Sequence, residues 1–333
     1  MLQIRKAVLH IVDVSNELTI NSMKLLDLSK DGVLEYLSKH IEKSLRDNSV
    51  VESNLGDDSP FAKLWNEYSQ GKIEFIDLST EVCNIYSQEL FKTKITQNID
   101  FIFCEFIKDN TSYIGFLLMA NNTYYTHQVI QADGIISNNL LKFYAVLPSI
   151  LQKIEGFAFF NMDSKKVSYL EKKNFMNEQG RLIISEIIFE CAKDMSSKEA
   201  LKIVKNVVSE IAEVTGKNSS VAIAKARIYL SDNAEVSEKV DIESLSHAIF
   251  PDSEECVETL KKEIKERGVS SIIHVRPEFA LREGRKHKIK TDTGIELIVP
   301  TEFFNNRNYI EFNNNVDGTI SISIKNIGKI INK

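Results

Sequence analysis

Ile99-Asp100-Phe101-Ile102-Phe103-Cys104-Glu105-Phe106-Ile107, then Asp109-Asn110, then Tyr113-Ile114-Gly115-Phe116-Leu117-Leu118-Met119-Ala120, is the stretch on which the fold turns. Both runs are rich in aromatic and β-branched residues, which fit a pleated, packed surface. The Asp-Asn break between them is short and tolerates positive φ. Parallel strands need a crossover of a dozen or more residues, so this spacing predicts antiparallel neighbours. Asn121-Asn122 supplies the next break, and residues 123–131, 143–147 and 156–161 continue the pattern. An antiparallel meander is expected.

Toward the N-terminus, residues 4–14 read as a strand, with 17–28 as its antiparallel partner across Asn16. Ser29 is placed to cap a helix over 30–46, where Val33, Leu34, Leu37, Ile41 and Leu45 recur at helical spacing. Ser59-Pro60 opens another helix: serine is a good N-cap, and proline is tolerated in the first turn, where an N–H has no partner anyway. Gly71 ends it. A third helix is expected over 80–92 with Ser79 as its cap. Helices followed by an antiparallel sheet make an α+β arrangement.

Toward the C-terminus the period becomes helical. Ser196-Ser197-Lys198-Glu199 has capping-box spacing, and Leu201, Val204, Val208 and Ile211 line one face before Gly216. Further helices are expected over 219–230, 241–250 and 253–267. Strands return at 271–275, 286–291, 295–299, 309–312 and 319–325, with Asp292-Thr293-Gly294 and Asp317-Gly318 as turns. The expected organisation is an α+β domain over 1–178, then a helical region and a small antiparallel β module over 179–333. Residues 231–240, the least apolar stretch, are the expected linker.

Composition narrows the function classes. The chain has 333 residues, 43% hydrophobic and 26% charged, enough to bury a core without disulfide or metal support. The four cysteines stand far apart, at no zinc-ligand spacing, as free thiols do in a reducing cytoplasm. The opening apolar run is interrupted by His10 and Asp13 and reads as a strand rather than a signal peptide. No apolar run reaches the ~20 residues of a membrane helix, so no membrane attachment is expected. A net charge of −6 argues against a histone-like coat on DNA.

No catalytic pattern emerges. Gly216-Lys217 is followed by Asn218, and position 211 is Ile, so the Walker phosphate loop is missing on both sides. The six histidines form no paired metal or protease motif, and each reads best as a packing or surface residue; His274, beside Arg276, is the mildest exception. Carboxylate pairs such as Glu186 with Glu190 arise on any solvated helix face. No cofactor is implied.

Charge is unevenly spread. Residues 267–333 hold eleven Lys and Arg against seven Asp and Glu, whereas 1–266 hold thirty against forty. The concentrated feature is Arg282-Glu283-Gly284-Arg285-Lys286-His287-Lys288-Ile289-Lys290. If its second half is a strand, Lys286, Lys288 and Lys290 share one face and Ile289 takes the other. Arg282 and Arg285 are expected on a flexible, glycine-containing approach. Such a ridge can contact phosphates without reading bases. A lysine-guarded strand edge accounts equally well for the same pattern. A weaker cluster, Lys165-Lys166 with Lys172-Lys173 around Tyr169, reads as an exposed hairpin.

These elements together resemble the 37-kilodalton nucleoid-associated proteins, the NdpA/YejK-like bacterial family. The likeness runs through Ile4-Arg5-Lys6-Ala7-Val8-Leu9-His10, Ser59-Pro60-Phe61, Asp100-Phe101-Ile102-Phe103 and Ile114-Gly115-Phe116-Leu117-Leu118. It continues in Ile242-Glu243-Ser244-Leu245-Ser246, Thr291-Asp292-Thr293-Gly294-Ile295 and Asp317-Gly318-Thr319-Ile320. The resemblance implies a non-enzymatic cytoplasmic protein of the nucleoid that binds nucleic acid. It carries no short contact motif, so Arg282, Arg285, Lys286, Lys288 and Lys290 are assigned by charge pattern alone. Expected partners are DNA or RNA and, as a homodimer, a second copy. The competing readings are an adaptor for topoisomerases or other nucleoid proteins and a metal-dependent nuclease, the latter without positive support.

Overall fold

Phe101 and Phe103 pack on one side of a single strand, and Ile102, Cys104 and Phe106 on the other, all buried. That strand is therefore covered on both faces, which explains the four consecutive apolar residues Phe101–Cys104 where a half-exposed strand would alternate. A computed structural model describes residues 2–329 except 193, 305, 307 and 316–318, and leaves out the side chains at 284–288, 301, 302, 314 and 320. The Asp317-Gly318 turn thus lies outside the described residues. The chain is α+β and divides into two compact units, Met1–Asp194 and Met195–Lys333.

In the first unit the strands are β1 (Leu2–Asp13), β2 (Leu18–Ile20), β3 (Val51–Asn54), β4 (Ile99–Lys108), β5 (Thr111–Ala120), β6 (Asn122–Ala132), β7 (Ile135–Val146), β8 (Gly156–Asn161) and β9 (Lys166–Leu170). An antiparallel sheet runs in the order β2-β1-β4-β5-β8-β9-β3. Helix α1 (Val33–Leu45) covers one face, burying Leu37 and Ile41 with Phe106 and Phe159. Helices α2 (Pro60–Ser69) and α3 (Phe75–Leu90) cover the other, with a π-helical segment at Ile183–Ile188. Ile183, Ile184, Ile188 and Phe189 are part of that core.

The meander therefore holds through β4, β5, β8 and β9, with β6 and β7 looped out as a separate hairpin. Gly115 explains how closely β5 and β8 approach, since a Cβ there would sit 1.9 Å from the carbonyl oxygen of Ala158.

Local chemistry set several boundaries differently from expectation. The partner of β1 shrinks to three residues. Helix α1 starts behind Gly32, whose φ of 77° turns the chain, while Ser29 is spent on Asp27, its hydroxyl donating at 2.6 Å. Ser79 lies inside α3, which begins earlier because the Glu74 N–H donates to Asp77 at 2.9 Å. Ser59 does cap α2, accepting the Ala62 N–H at 3.1 Å.

The second unit begins with α4 (Ser197–Val214), capped by Ser196, and α5 (Ser219–Ala234), capped by Asn218. Then come β10 (Lys239–Asp241), α6 (Ile242–Ile249), α7 (Glu254–Glu266) and β11 (Ile272–His274). Residues 231–240 are not a free linker: they end α5 and begin β10, and the Asn233 amide donates to the Lys239 carbonyl at 2.9 Å to close the turn. Ala222, Ala224 and Ala226 are buried on α5, short side chains that let α4, α6 and the next helix lie close around it. That helix is α8 (Pro277–Arg285). It leads into β12 (Lys286–Lys290) and β13 (Glu296–Pro300), then α9 (Thr301–Phe304), β14 (Ile310–Asn314) and β15 (Ile320–Ile324).

Candidate nucleic-acid interface

Helix α8 exists because Pro277 pre-sets a helical φ at its first position and because Phe279 and Ala280 bury against the core around α5. Arg282 is exposed, its guanidinium carbon 5.3 Å from the centre of the Phe279 ring one turn earlier. This cation–π contact leaves the donors of the planar fork at the surface.

Gly284 sits within α8, and α8 runs without a loop into β12. The flexible glycine approach expected from sequence is thus a helix. Burial of Phe279 and Ala280 outweighs the helix cost of one glycine, roughly 1 kcal/mol. A second restraint is the acid of the run: Glu283 meets Lys205 of α4, Nζ to Oε2 2.5 Å. Burial pushes the Glu283 carboxyl up, but Lys205, with Arg227 and Arg282, more than offsets that and holds it below the ordinary value.

β12 and β13 form an antiparallel hairpin in which positions 286, 288 and 290 stand opposite Pro300, Ile298 and Glu296. Directly opposed residues share a face. Along β13, Glu296, Ile298 and Pro300 are exposed, while Leu297 and Val299 are half-buried. By backbone register, positions 286, 288 and 290 fall on the hairpin face shared with Glu296, Ile298 and Pro300, and Ile289, half-buried, falls on the other. Lys290 is exposed; the side chains of Arg285, Lys286 and Lys288 lie outside the described residues.

The weaker cluster is arranged differently. Lys166 pairs with Glu52 at 2.8 Å and Lys172 with Glu155 at 2.6 Å. Lys165, at φ 61° in the β8–β9 turn, places its ammonium 5.1 Å from the Trp65 ring centre. Two of its four cations already have carboxylate partners.

Gly216, at φ 68°, ends α4 and the Lys217 N–H donates back to the Ala212 carbonyl at 2.7 Å, as a glycine helix stop requires. His274 is exposed on β11, whereas His10 and His40 are buried. Cys83, Cys104 and Cys256 are buried, and burial pushes the thiols of Cys83 and Cys104 well above the range of a reactive cysteine. Among the described residues no three His, Cys, Asp or Glu side chains group as metal ligands, and no helix is long and apolar enough to cross a membrane.

A family model described as nucleoid-associated protein YejK matches residues 8–332. No curated protein matches the chain.

Proposed function

The chain belongs to the nucleoid-associated protein YejK family, and from that premise we propose that it binds DNA in the cytoplasmic nucleoid, non-enzymatically and with low sequence specificity, through Arg282, Arg285, Lys286, Lys288 and Lys290. The observation that supports the reading is the β12–β13 register, which puts positions 286, 288 and 290 on one face of a hairpin, with Lys290 exposed. Alternate residues of a strand stand about 6.7 Å apart, a linear array of cations suited to a phosphate backbone. Lysines act as point charges and read phosphates rather than base edges, so specificity is low.

Pairing Glu283 with Lys205 removes the one acid inside the run from competition. The acidity of residues 1–266 repels DNA elsewhere and steers it toward this end. RNA offers the same phosphates and is the competing ligand in the assay. Assembly as a symmetric homodimer doubles the array.

Labelled duplex is titrated into the wild-type chain and the Lys286→Glu/Lys288→Glu/Lys290→Glu variant. Loss of binding in the variant supports the assignment, and equal affinity removes it. Plasmid incubated with magnesium or manganese stays intact if the protein is no nuclease.

A second reading, an adaptor for topoisomerases or other nucleoid proteins, is favoured by an open groove of about 410 Å³ between α4 and α7. Its lining includes the apolar Val207, Ile211 and exposed Val214, together with Glu255 and with Glu210 and Glu263, both of which pair with Arg267. Under that reading the purified chain does not retard DNA, but binds a purified topoisomerase and loses it on Val214→Asp.

A further inference from the structure

Among the described residues β6 and β7 pair only with each other, joined by Asp133 and Gly134 at φ 53° and 77°, the geometry of a two-residue hairpin turn. Every residue from 123 to 145 is exposed. The alternation of a strand puts Tyr124, Ile130, Ile135, Leu141 and Phe143 on one face, and Tyr125, Val129, Ile136, Leu140 and Tyr144 on the other. Leu140 is 72% exposed, and Ile135 and Tyr144 are each 70%. A lone two-stranded hairpin is marginal in water, and this one leaves large apolar side chains bare on both faces.

We infer that this hairpin is a dimerisation arm that packs antiparallel on the same arm of a second copy of the chain. Asp133 and Lys142 are the only Asp, Glu, Lys or Arg residues in 122–146. Asp133 forms the tip, and Lys142 lies near the base, opposite Tyr125. Two arms related by a two-fold axis place each tip carboxylate beside the other's base ammonium, so the arm is complementary to itself.

A segment with no net charge and one lysine is poorly suited to a polyanion, which demands several cations. The size also fits. Two faces about 33 Å long and about 10 Å wide give roughly 700 Å² per copy, near the ~800 Å² that each partner buries in a stable pair. Covering both faces requires each arm to lie between the partner's arm and the partner's body.

The inference deepens the DNA-binding reading by giving the pair its surface, yet fails separately from it: sedimentation reads the pairing, DNA titration the basic strand. Sedimentation velocity of the full chain up to about 100 µM is expected to show a dimer, as an interface of this size supports. Leu140→Asp with Ile136→Asp is expected to weaken it about a hundredfold or more, at side chains that touch no core. Asp133→Lys and Lys142→Asp singly weaken it, and the double swap restores it to within a few-fold. Asp133→Cys with Lys142→Cys on one chain gives, on oxidation, a covalent dimer, because about 30 Å separates the two positions within one arm. A monomer throughout, or a dimer that none of these substitutions moves, overturns the inference, whatever else then covers the arm.

Discussion

Lys205 Nζ lies 2.5 Å from Glu283 Oε2, joining α4 to the helix that delivers the basic strand. The pair is half-buried, so water screens part of its attraction, and Lys205→Ala is expected to cost about 1 kcal/mol. The larger consequence is electrostatic. Without Lys205 the Glu283 carboxylate is left to Arg227 and Arg282 and offsets more of the Arg282 charge, so duplex affinity falls. Glu283→Gln is expected to raise it a few-fold at low salt. Fluorescence anisotropy with labelled duplex checks both; affinities that move together in one direction contradict the assignment.

Substitution of the other basic cluster should do little to DNA binding. Lys166 and Lys172 are already engaged by Glu52 and Glu155. Lys166→Gln with Lys172→Gln is therefore expected to leave duplex affinity unchanged within about twofold, since exposed pairs are worth roughly 0–1 kcal/mol. A tenfold loss in the same titration would move the interface to the first unit.

Acid stability depends in part on His10. The Ser22 N–H donates to Nδ1 at 3.0 Å, so Nε2 carries the proton and donates to Ser79 Oγ at 3.0 Å, while the Ser79 hydroxyl donates to the Ile76 carbonyl at 2.7 Å. Burial in this neutral network lowers the His10 pKa from 6.5 to about 4. Between those values the unfolded chain holds a proton that the folded protein refuses. Stability from this group is full above pH 6.5, falls by up to about 1.4 kcal/mol per unit as pH drops, and levels off below 4. The unfolding free energy of wild type minus that of His10→Gln, followed by urea denaturation, should shrink on acidification. A constant difference would contradict the network.

Gly115→Ala is expected to be the most damaging single methyl in the sheet. Its Cβ would lie 1.9 Å from the Ala158 oxygen and 2.9 Å from the Phe159 Cα, both backbone atoms in a central strand pair. Overpacking of this kind costs about 3 kcal/mol. Gly134→Ala, with open space around it, carries only the strain of positive φ. Comparable denaturation midpoints for the two variants would show that the close β5–β8 approach is absent.

Much of the fold was legible because burial leaves a period in the sequence. β4, β5 and β8 appear as dense apolar runs, and α4 as an apolar face capped by Ser196. What escaped depended on contacts distant in sequence. Helix α8 was hidden because Arg-Glu-Gly-Arg looks like a polar loop, and only the packing of Phe279 and Ala280 makes it helical. Ser79 looked like a cap, but its hydroxyl serves His10, 69 residues away. β6 and only the end of β7, from 143, read as sheet strands, and residues 135–142 do not; nothing local tells whether the faces of such a hairpin are covered. The basic residues were visible as charge, whereas the Lys205–Glu283 pair behind them joins residues 78 apart.

The salt dependence of duplex binding tests the central claim most directly. Neutralising about four phosphates on the β12 strand and α8 releases counterions, so log affinity should fall against log salt with a slope of roughly −3.6. The Lys286→Glu/Lys288→Glu/Lys290→Glu variant should bind weakly and with a much flatter slope. Wild-type binding that ignores salt, or a variant that keeps the wild-type slope, would contradict the claim that these cations hold the DNA.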